Sequence, residues 1–474
     1  MKTLIGSIFL ALSGLSVIAL LTQPKPPHPE KLGITRTTDF HPRRSVELAK
    51  FNAANPELWL TIDTSGNQLQ KIIVQSSSGV GADLFDVYNG SQLQTLAEAG
   101  VISDVTPEAK ELGFSVDGDT WPAVRGELSD QGKQYSYPAN VNANILVFNK
   151  AIFRKMGVPF PKQNITWDEF WPMAQKLTKR DGKNSVFGVV QFGWGSIFQS
   201  LRGQYFNKDG TKLLLTSDAL KTSLQAHKDM IYKYRVSPSS LELKALSGQG
   251  GYGAGGINQF ADGRFAMIGI GKWALTNFRS AYRDQKEKLA QWEKNPSRQE
   301  SEKPMVLELG SVMMPHFEGK PQCFKVESRS TAVNALGPHR KQALQFLKFL
   351  ASKEYSEIVN GGVDALPGNP KYVNAGLEPG EPALSELEMH RNTVEALKYG
   401  YQPIRSPFLL SSDVERVLGE QLSRLESDPN LPVEDLLAAA QNDAQILMQR
   451  NLDRSPKLRE SYKALTGSER VVAQ

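Results

Sequence analysis

A tryptophan stands directly after a short apolar run near the middle of the chain. In "FADGRFAMIGIGKWALTNF", residues 260–278, the run that starts at Phe265 predicts a buried strand, and Trp273 follows it. The loop at the carboxyl end of a strand is where open α/β sheets hold ligands. A large ring at that position offers a ligand a flat apolar face. Trp273 is therefore a candidate binding residue, and a core tryptophan is the alternative.

The sequence lacks the common motifs of catalytic and metal sites. "GIGKW" is not a phosphate-binding loop, because Trp273 replaces the required Ser or Thr and Ala266 replaces the first glycine. There is no H-E-x-x-H metal motif and no G-x-S-x-G nucleophile motif. Cys323 is the single cysteine, which excludes an internal disulfide and a multi-cysteine metal site. We predict no catalytic residue, no metal and no cofactor.

Length and charge narrow the class of protein further. The chain has 474 residues, of which 40% are hydrophobic and 22% charged, which is typical of a globular protein with two or more lobes. The formal net charge of +5 is small for this length, and the lysines and arginines are scattered. A nucleic-acid partner is therefore not expected.

The first 32 residues predict export from the cytoplasm. Lys2 precedes an almost wholly apolar run from Leu4 to Leu21, so residues 1–21 are expected to be a secretory signal peptide. The same run has about the length, roughly 20 residues, that spans a bilayer, so an uncleaved anchor remains the alternative. Residues 22–32 form a proline-rich linker. Both readings predict a periplasmic or other extracytoplasmic protein, secreted or tethered to the inner membrane.

Strand-like and helix-like segments alternate along the rest of the chain. Residues 58–62 alternate in polarity as a strand does, and "NILVFNK" at residues 144–150 predicts a second buried strand. Thr166 and Glu169 form a capping-box pattern at the start of a helix. The charged segment 282–304 predicts a solvated helical insertion. This alternation indicates an α/β fold.

Several segments together resemble one known family. "GADLFDVYNGSQLQTLAEAGVISDVTPE" and "GKQYSYPANVNANILVFNKAIFRKMGV" are followed, in order, by "TWDEF", "FADGRFAMIGIGKWAL" and "ALQFLKFLASKEYSEIVNGGVDALP". This order resembles the extracellular solute-binding proteins that include maltose-binding protein and deliver sugars to ABC importers. The resemblance extends from about Gly33 to about Arg450, which is nearly the whole chain after the linker.

The resemblance implies a two-lobed clamp of the type II periplasmic-binding-protein fold. Each lobe would be a mixed sheet flanked by helices, with three crossings between lobes near Asn142, Pro315 and Ser356. The first lobe is predicted at residues 33–141 plus 316–355, and the second at residues 142–315 plus 356–474. The ligand would bind between the lobes, and hinge closure would trap it.

The resemblance also implies which residues contact a sugar. Trp273 matches the tryptophan on which sugar-binding members stack a pyranose ring, and Asn142 stands where maltose-binding protein has a glutamate. The hydroxyls need polar partners, and Asp and Arg can each make two hydrogen bonds. The other predicted contacts are Thr38, Asp39, Asn89, Gly90, Trp194, Arg329 and Asp364. For the polar members, the alternative is a turn residue that bonds its own backbone.

These observations favour a monomeric protein that binds a mono- or oligosaccharide and delivers it to the permease subunits of an ABC importer. A membrane-anchored module that senses a ligand without transporting it is one alternative. A secreted carbohydrate-active enzyme with an unrecognised pair of carboxylates is another. A ferric or anion carrier is disfavoured, because no tyrosine-rich constellation surrounds a histidine.

Overall fold

The structure is a computed structural model that describes residues 28–64, 68–130, 132–182, 185–190, 192–239, 242–243, 254–320 and 322–471. The predicted signal or anchor at residues 1–21 and most of the linker lie outside these ranges. Within them, no helix combines the length and the apolarity needed to cross a bilayer.

The strands form two main sheets and one small hairpin. The strands are β1 (Leu32–Thr37), β2 (Leu58–Asp63), β3 (Leu84–Val87), β4 (Ser129–Asp130), β5 (Lys133–Gln134), β6 (Ser136–Ala143), β7 (Ile145–Asn149), β8 (Phe187–Val190), β9 (Phe265–Ile270), β10 (Leu309–Val312) and β11 (Val326–Val333). The first sheet has the order β2-β1-β3-β11-β6, with β1 parallel to β2 and β3, and β11 antiparallel to β3 and β6. The second sheet has the order β10-β7-β9-β8, in which only β8 and β9 pair in parallel. Both sheets are therefore mixed, as predicted.

Helices pack around both sheets. They are α1 (Arg44–Ala54), α2 (Leu69–Ser77), α3 (Gly90–Glu98), α4 (Thr106–Leu112), α5 (Val116–Asp119), α6 (Arg125–Leu128), α7 (Lys150–Met156), α8 (Trp167–Lys176), α9 (Trp194–Ser200), α10 (Asp218–Tyr232), α11 (Ala254–Ala261), α12 (Leu275–Lys294), α13 (Arg340–Leu350), α14 (Lys353–Gly362), α15 (Glu386–Leu397), α16 (Ser411–Ser427), α17 (Val433–Arg454) and α18 (Pro456–Thr466). The alternation of strands and helices confirms the predicted α/β class.

Helix α8 illustrates how local sequence fixes an element. The predicted capping box is present: the amide of Glu169 donates to Thr166 Oγ1 at 3.4 Å, and the amide of Thr166 donates to Glu169 Oε2 at 3.1 Å. Trp167, Phe170 and Ala174 are buried at helical spacing, so one face of the helix packs on the core. The cap therefore starts α8 at the residue that directs this apolar face towards the second sheet.

Apolar cores lie beside the two sheets, and the core of the second sheet also includes Val141 of β6 and Val326 of β11. Phe51 of α1 packs edge-on against Phe346 and Phe349 of α13, at ring-centroid distances of 5.3 and 5.6 Å, in the core of the first sheet. Strand β9 is buried along its whole length in the core of the second sheet. Helices α16, α17 and α18 share a further core with residues between Phe198 and Leu224. The C-terminal helices are therefore packed parts of the fold.

The chain passes between the two sheets at short connections. Asn144 alone separates β6 of the first sheet from β7 of the second, and the chain returns between β10 and β11. Tyr355 and Val359 of α14 still pack in the core of the first sheet, and Leu384 packs in the core of the second. Packing against the first sheet thus extends past Ser356, the residue near which the third crossing is predicted. The number of crossings and the lobe boundaries remain a prediction.

A buried carboxyl packed against the first sheet makes the stability of this fold depend on pH. Glu127 of α6 is buried and accepts hydrogen bonds from the amide and the hydroxyl of Ser328 in β11, both at 2.7 Å. Burial raises the pKa of Glu127 to about 8, although the bonds from Ser328 act in the opposite direction. A raised carboxyl pKa stabilises the fold fully below the unfolded pKa near 4.5, and this stabilisation is lost as the pH rises through about 8.

Replacing Glu127 with glutamine is therefore expected to stabilise the protein at pH 8 and not at pH 5. Glutamine keeps an oxygen that can accept from Ser328, but it does not ionise. The free energy of unfolding in urea should lie within about 1 kcal/mol of the wild-type value at pH 5 and exceed it at pH 8 by on the order of 2–4 kcal/mol. An equal difference at the two pH values would show that Glu127 does not titrate in this range.

Candidate functional site

Three of the predicted contact residues bond to a fourth, Arg329. Nη1 of Arg329 donates to Asp39 Oδ1 at 2.7 Å and to Thr38 Oγ1 at 3.3 Å, and its Nη2 donates to Asp364 Oδ2 at 2.8 Å. We call Thr38, Asp39, Arg329 and Asp364 the Arg329 cluster. The structure thus brings together residues that are up to 326 positions apart in the chain.

The backbone around each member of the Arg329 cluster is specialised. Thr38 and Asp39 directly follow β1, and Arg329 lies at a register shift between β11 and β6. Asp364 stands between Val363 and Ala365, whose φ angles are 54° and 68°. Left-handed backbone costs an L-residue about 1–2 kcal/mol, so other contacts must hold this segment. The carboxylate of Asp364 supplies such contacts, since its Oδ1 accepts from Asn140 Nδ2 and its Oδ2 forms an ion pair with Arg329.

A buried ion network lies beneath the Arg329 cluster. Asp86 of β3 accepts from Arg36 Nη2 at 2.9 Å and from Thr38 Oγ1 at 2.5 Å. Arg44 of α1 donates to both Asp39 and Asp364. The network consists of three guanidinium groups paired with four carboxylates. The arginines are Arg36, Arg44 and Arg329, and the acids are Asp39, Glu47, Asp86 and Asp364.

Asp39 is the member of this network that is open to a ligand. Its side chain is 44% exposed, whereas those of Asp86 and Glu47 are almost fully buried. The desolvating surroundings raise the pKa of Asp39, and the nearby Asp364 carboxylate acts in the same direction while Arg44 opposes both. Arg44 and Arg329 both donate to Oδ1 of Asp39, so the carboxylate still has lone pairs that can accept from ligand hydroxyls.

The turn that carries Trp273 is fixed by contacts with the first sheet. The amide of Lys272 donates to Asn142 Oδ1 at 3.0 Å, and Lys272 Nζ donates to the carbonyl oxygen of Ala365 at 2.9 Å. A Cβ atom at Gly271 would lie 1.6 Å from Asn142 Nδ2, so only glycine permits this approach. Burial lowers the pKa of Lys272 to about 8. Asn142, predicted to receive ligand hydroxyls, thus positions the backbone next to Trp273.

Trp273 itself points away from the core. It is 39% exposed, although Lys272 and Ala274 on either side are buried. The Lys272–Ala365 hydrogen bond joins the immediate neighbours of Trp273 and Asp364, so it connects the turn that carries the ring to the segment that carries Asp364. An exposed ring on a fixed turn is what a stacking platform requires.

Phe40 is a second exposed aromatic that our sequence reasoning missed. Phe40 follows Asp39 and is 78% exposed. His41 Nε2 lies 3.4 Å from Thr276 Oγ1, so the loop after β1 meets the start of α12. Phe40 directly precedes His41, and Trp273 precedes Thr276 by three residues, so both aromatic residues are near this contact in the chain. The available signal was an aromatic residue in a polar loop directly after a strand.

The contacts of three other predicted residues lie outside the Arg329 cluster. Asn89 caps α3 by accepting from the amide of Gln92 at 2.9 Å. The carbonyl oxygen of Gly90 accepts from Arg405 Nη1 at 3.1 Å. Trp194 is half-buried at the start of α9, with its ring 6.0 Å from that of Phe198. Their contacts with a ligand remain predictions.

A groove of about 510 Å³ opens beside the contact between His41 and Thr276. One wall comes from the loop after β1 and the end of α14, and the other from α12 and residues 380–384. The lining residues are His41, Pro42, Arg43, Thr276, Arg279, Tyr282, Arg283, Lys286, Gly361, Gly362, Val363, Gly380, Glu381 and Leu384. In the part of the chain that the structure describes, no three His, Cys, Asp or Glu side chains converge as metal ligands would.

Two mixed sheets flanked by helices are the architecture of the periplasmic-binding type of fold. The family model described as bacterial extracellular solute-binding protein matches residues 44–357, about two thirds of the chain. The chain therefore belongs to this family.

Individual relatives match over part of their length. The arabinooligosaccharide-binding protein of Bacillus subtilis is 28% identical over 230 residues, which are 45% of this chain and 51% of that protein. The sn-glycerol-3-phosphate-binding periplasmic protein of Escherichia coli is 28% identical over 156 residues, which are 31% of this chain and 34% of that protein. The chain thus spans about half the length, or less, of these curated relatives.

Solved structures match the fold over a larger share of the chain. An ABC substrate-binding protein from Listeria monocytogenes, in complex with cycloalternan, superposes with a TM-score of 0.71 at 19% identity and covers 88% of this chain and 99% of its own. MalE3 of T. maritima, bound to maltose, gives a TM-score of 0.65 at 16% identity and covers 88% and 100%. At these identities the comparison establishes the fold, which is that of the type II clamp predicted from the sequence.

Proposed function

We propose that the protein binds a carbohydrate in the cleft between its two sheets and delivers it to an ABC importer by hinge closure. The observation that carries this proposal is the exposed ring of Trp273 on a rigid turn, joined through Lys272 and Ala365 to the Arg329 cluster. An apolar platform next to a polar cluster matches the two surfaces of a sugar.

The chemistry of a pyranose explains this pairing. One face of the ring is a patch of C–H bonds, which Trp273 or Phe40 can cover. The rim carries hydroxyls, which donate to the half-exposed carboxylate of Asp39 and accept from amide or guanidinium N–H groups. Because these partners come from both halves of the molecule, the ligand binds the closed form better than the open one, and this difference drives closure.

The names of similar proteins support a carbohydrate ligand. The relative from B. subtilis is named for arabinooligosaccharides, and the two matched structures hold cycloalternan and maltose. The role of the family supports an importer as partner and a place of action outside the cytoplasm, with residues 1–21 either removed or kept as a tether. We further propose that the protein acts as a monomer and releases its ligand chemically unchanged.

A ligand screen tests this function. Purified protein is heated with each of a panel of mono-, di- and oligosaccharides, and bound sugar is recovered and analysed. A ligand at 100 times its dissociation constant adds about 2.7 kcal/mol to the free energy of unfolding, which gives a visible shift in melting temperature. We expect one class of sugar to give this shift and to be recovered intact. A folded protein that responds to no sugar would refute the proposal, and cleaved sugar would indicate an enzyme.

A further inference from the structure

The groove between α12 and the loop after β1 carries more positive than negative charge. We infer that the ligand is an acidic saccharide whose carboxylate is held in this groove by Arg43, Arg283 and Lys286. This inference deepens the proposed function and rests on it. It assigns a chemical class to the ligand, since a neutral sugar offers these three cations hydroxyl acceptors but no opposite charge.

The charges lining the groove are not balanced by the protein. Four of the lining side chains are cationic, and Glu381 is the acidic one. One of the four, Arg279, is already paired with Glu386, through bonds of 2.7 and 2.6 Å. Across the described ranges, no ion pair involves Arg43, Arg283 or Lys286, and all three side chains are exposed. Three cations therefore face a groove with one carboxylate between them.

The remaining lining suits a sugar that carries an acid group. Nζ of Lys286 lies 5.4 Å from the ring centroid of Tyr282, whose hydroxyl donates to Glu381 at 3.3 Å. Arg43 Nη2 donates to the carbonyl oxygen of Gly361 at 3.2 Å, which holds its guanidinium at the opposite wall. Burial lowers the pKa of His41, so its imidazole is neutral at pH 7. The groove thus offers an aromatic surface, hydroxyl partners and guanidinium groups suited to a carboxylate.

On α12, the lining of the groove begins three residues after Trp273, at Thr276. Thr276, Arg279 and Arg283 occupy successive turns on one face of α12, and Trp273 precedes Thr276 by three residues. Arg283 follows Trp273 by ten residues, so at 1.5 Å per residue it lies about 15 Å away along the helix axis, which exceeds one pyranose ring. An oligosaccharide can therefore stack on Trp273 with one unit and place the carboxylate of another in the groove.

Two of the three cations, Arg283 and Lys286, belong to the charged segment that is predicted to be an insertion. It covers residues 282–304, which the sequence presents as extra to the family pattern. In the structure, residues 282–294 of this segment form the second half of α12, which begins at Leu275, two residues after Trp273. This half of α12 adds a charged wall to the groove.

The test uses oligogalacturonates and oligomannuronates of two to four units, each compared with its methyl ester, which keeps the rings and removes the charge. Calorimetric titration of the full protein should show at least tenfold tighter binding of one acid form than of its ester. Raising the salt concentration from 50 to 300 mM should reduce that preference. The double variant Arg283→Gln/Lys286→Gln should lose about tenfold in affinity for the acid and less than twofold for the ester.

A matched control separates a local site from general attraction. Lys288→Gln/Lys294→Gln removes the same charge from exposed positions on α12 that do not line the groove, and it should leave both affinities within twofold. Equal binding of acid and ester, or an equal loss in the control, overturns the inference. A neutral sugar that binds through Trp273 when no uronate binds more tightly also overturns it, while the proposed function stands. If no glycan of either kind binds, the proposed function itself fails.

Discussion

Trp273→Ala is expected to weaken sugar binding by about 30- to 1,000-fold, or roughly 2–4 kcal/mol, as the loss of a central aromatic anchor does. The ring is exposed, so its removal leaves no cavity in the core, and the free energy of unfolding should change by less than about 0.5 kcal/mol. Calorimetric titration with the ligand found in the screen measures the first quantity, and urea unfolding measures the second.

Two further variants distinguish stacking from a general effect of losing an aromatic ring. Trp273→Phe keeps a smaller apolar face and should recover part of the affinity. Phe160→Ala removes a ring of similar exposure, 45%, that packs against Phe148 and Phe153 instead, and its affinity should equal that of the wild type. If Trp273→Ala binds as tightly as the wild type, the ring has a structural role and the proposed site is misplaced.

The sequence was most informative where local physics decides the structure. The strand at residues 58–62, the capping box at Thr166 and the apolar run before Trp273 each appear where their patterns predict them. Each depends on residues within a few positions of one another, so periodicity and capping chemistry suffice. The family resemblance then supplied the order of the elements and the expectation of a cleft.

The assembly of the site depends on contacts that no local pattern encodes. Arg329 reaches Asp39 and Asp364 because a register shift in β11 and two residues in left-handed backbone bring their side chains together. Asn142 lies in the segment where a ligand contact is predicted, but its side-chain oxygen accepts from the backbone amide of Lys272. Polar type and position in a loop identify candidates, but the partner of each side chain is set by the packing of distant segments.

Arg36→Met is expected to cause the largest loss of stability, about 3–5 kcal/mol, because it removes one side of a buried ion network. The guanidinium of Arg36 is fully buried, bonds to Asp86, Glu47 and Thr331, and lies 4.7 Å from the ring centroid of Phe346. Burial disfavours its charge, but the carboxylates of Asp86 and Glu47 outweigh this cost and raise its pKa. Methionine would leave both carboxylates buried with much less compensation.

The exposed pair of Lys50 and Glu354, at 3.1 Å, provides the matched control. Lys50→Met should cost no more than about 1 kcal/mol in urea unfolding, because water already solvates that pair. Adding Asp86→Asn to Arg36→Met should restore part of the loss, since it removes one uncompensated charge. A loss below about 1 kcal/mol in Arg36→Met would mean that the network is not needed for stability. Asp86 also accepts a hydrogen bond from Thr38, one of the predicted contact residues. Arg36→Met should therefore bind sugar more weakly than the wild type even after the affinity is corrected for the fraction of unfolded protein. Such a loss would connect the buried network to the wall of the cleft.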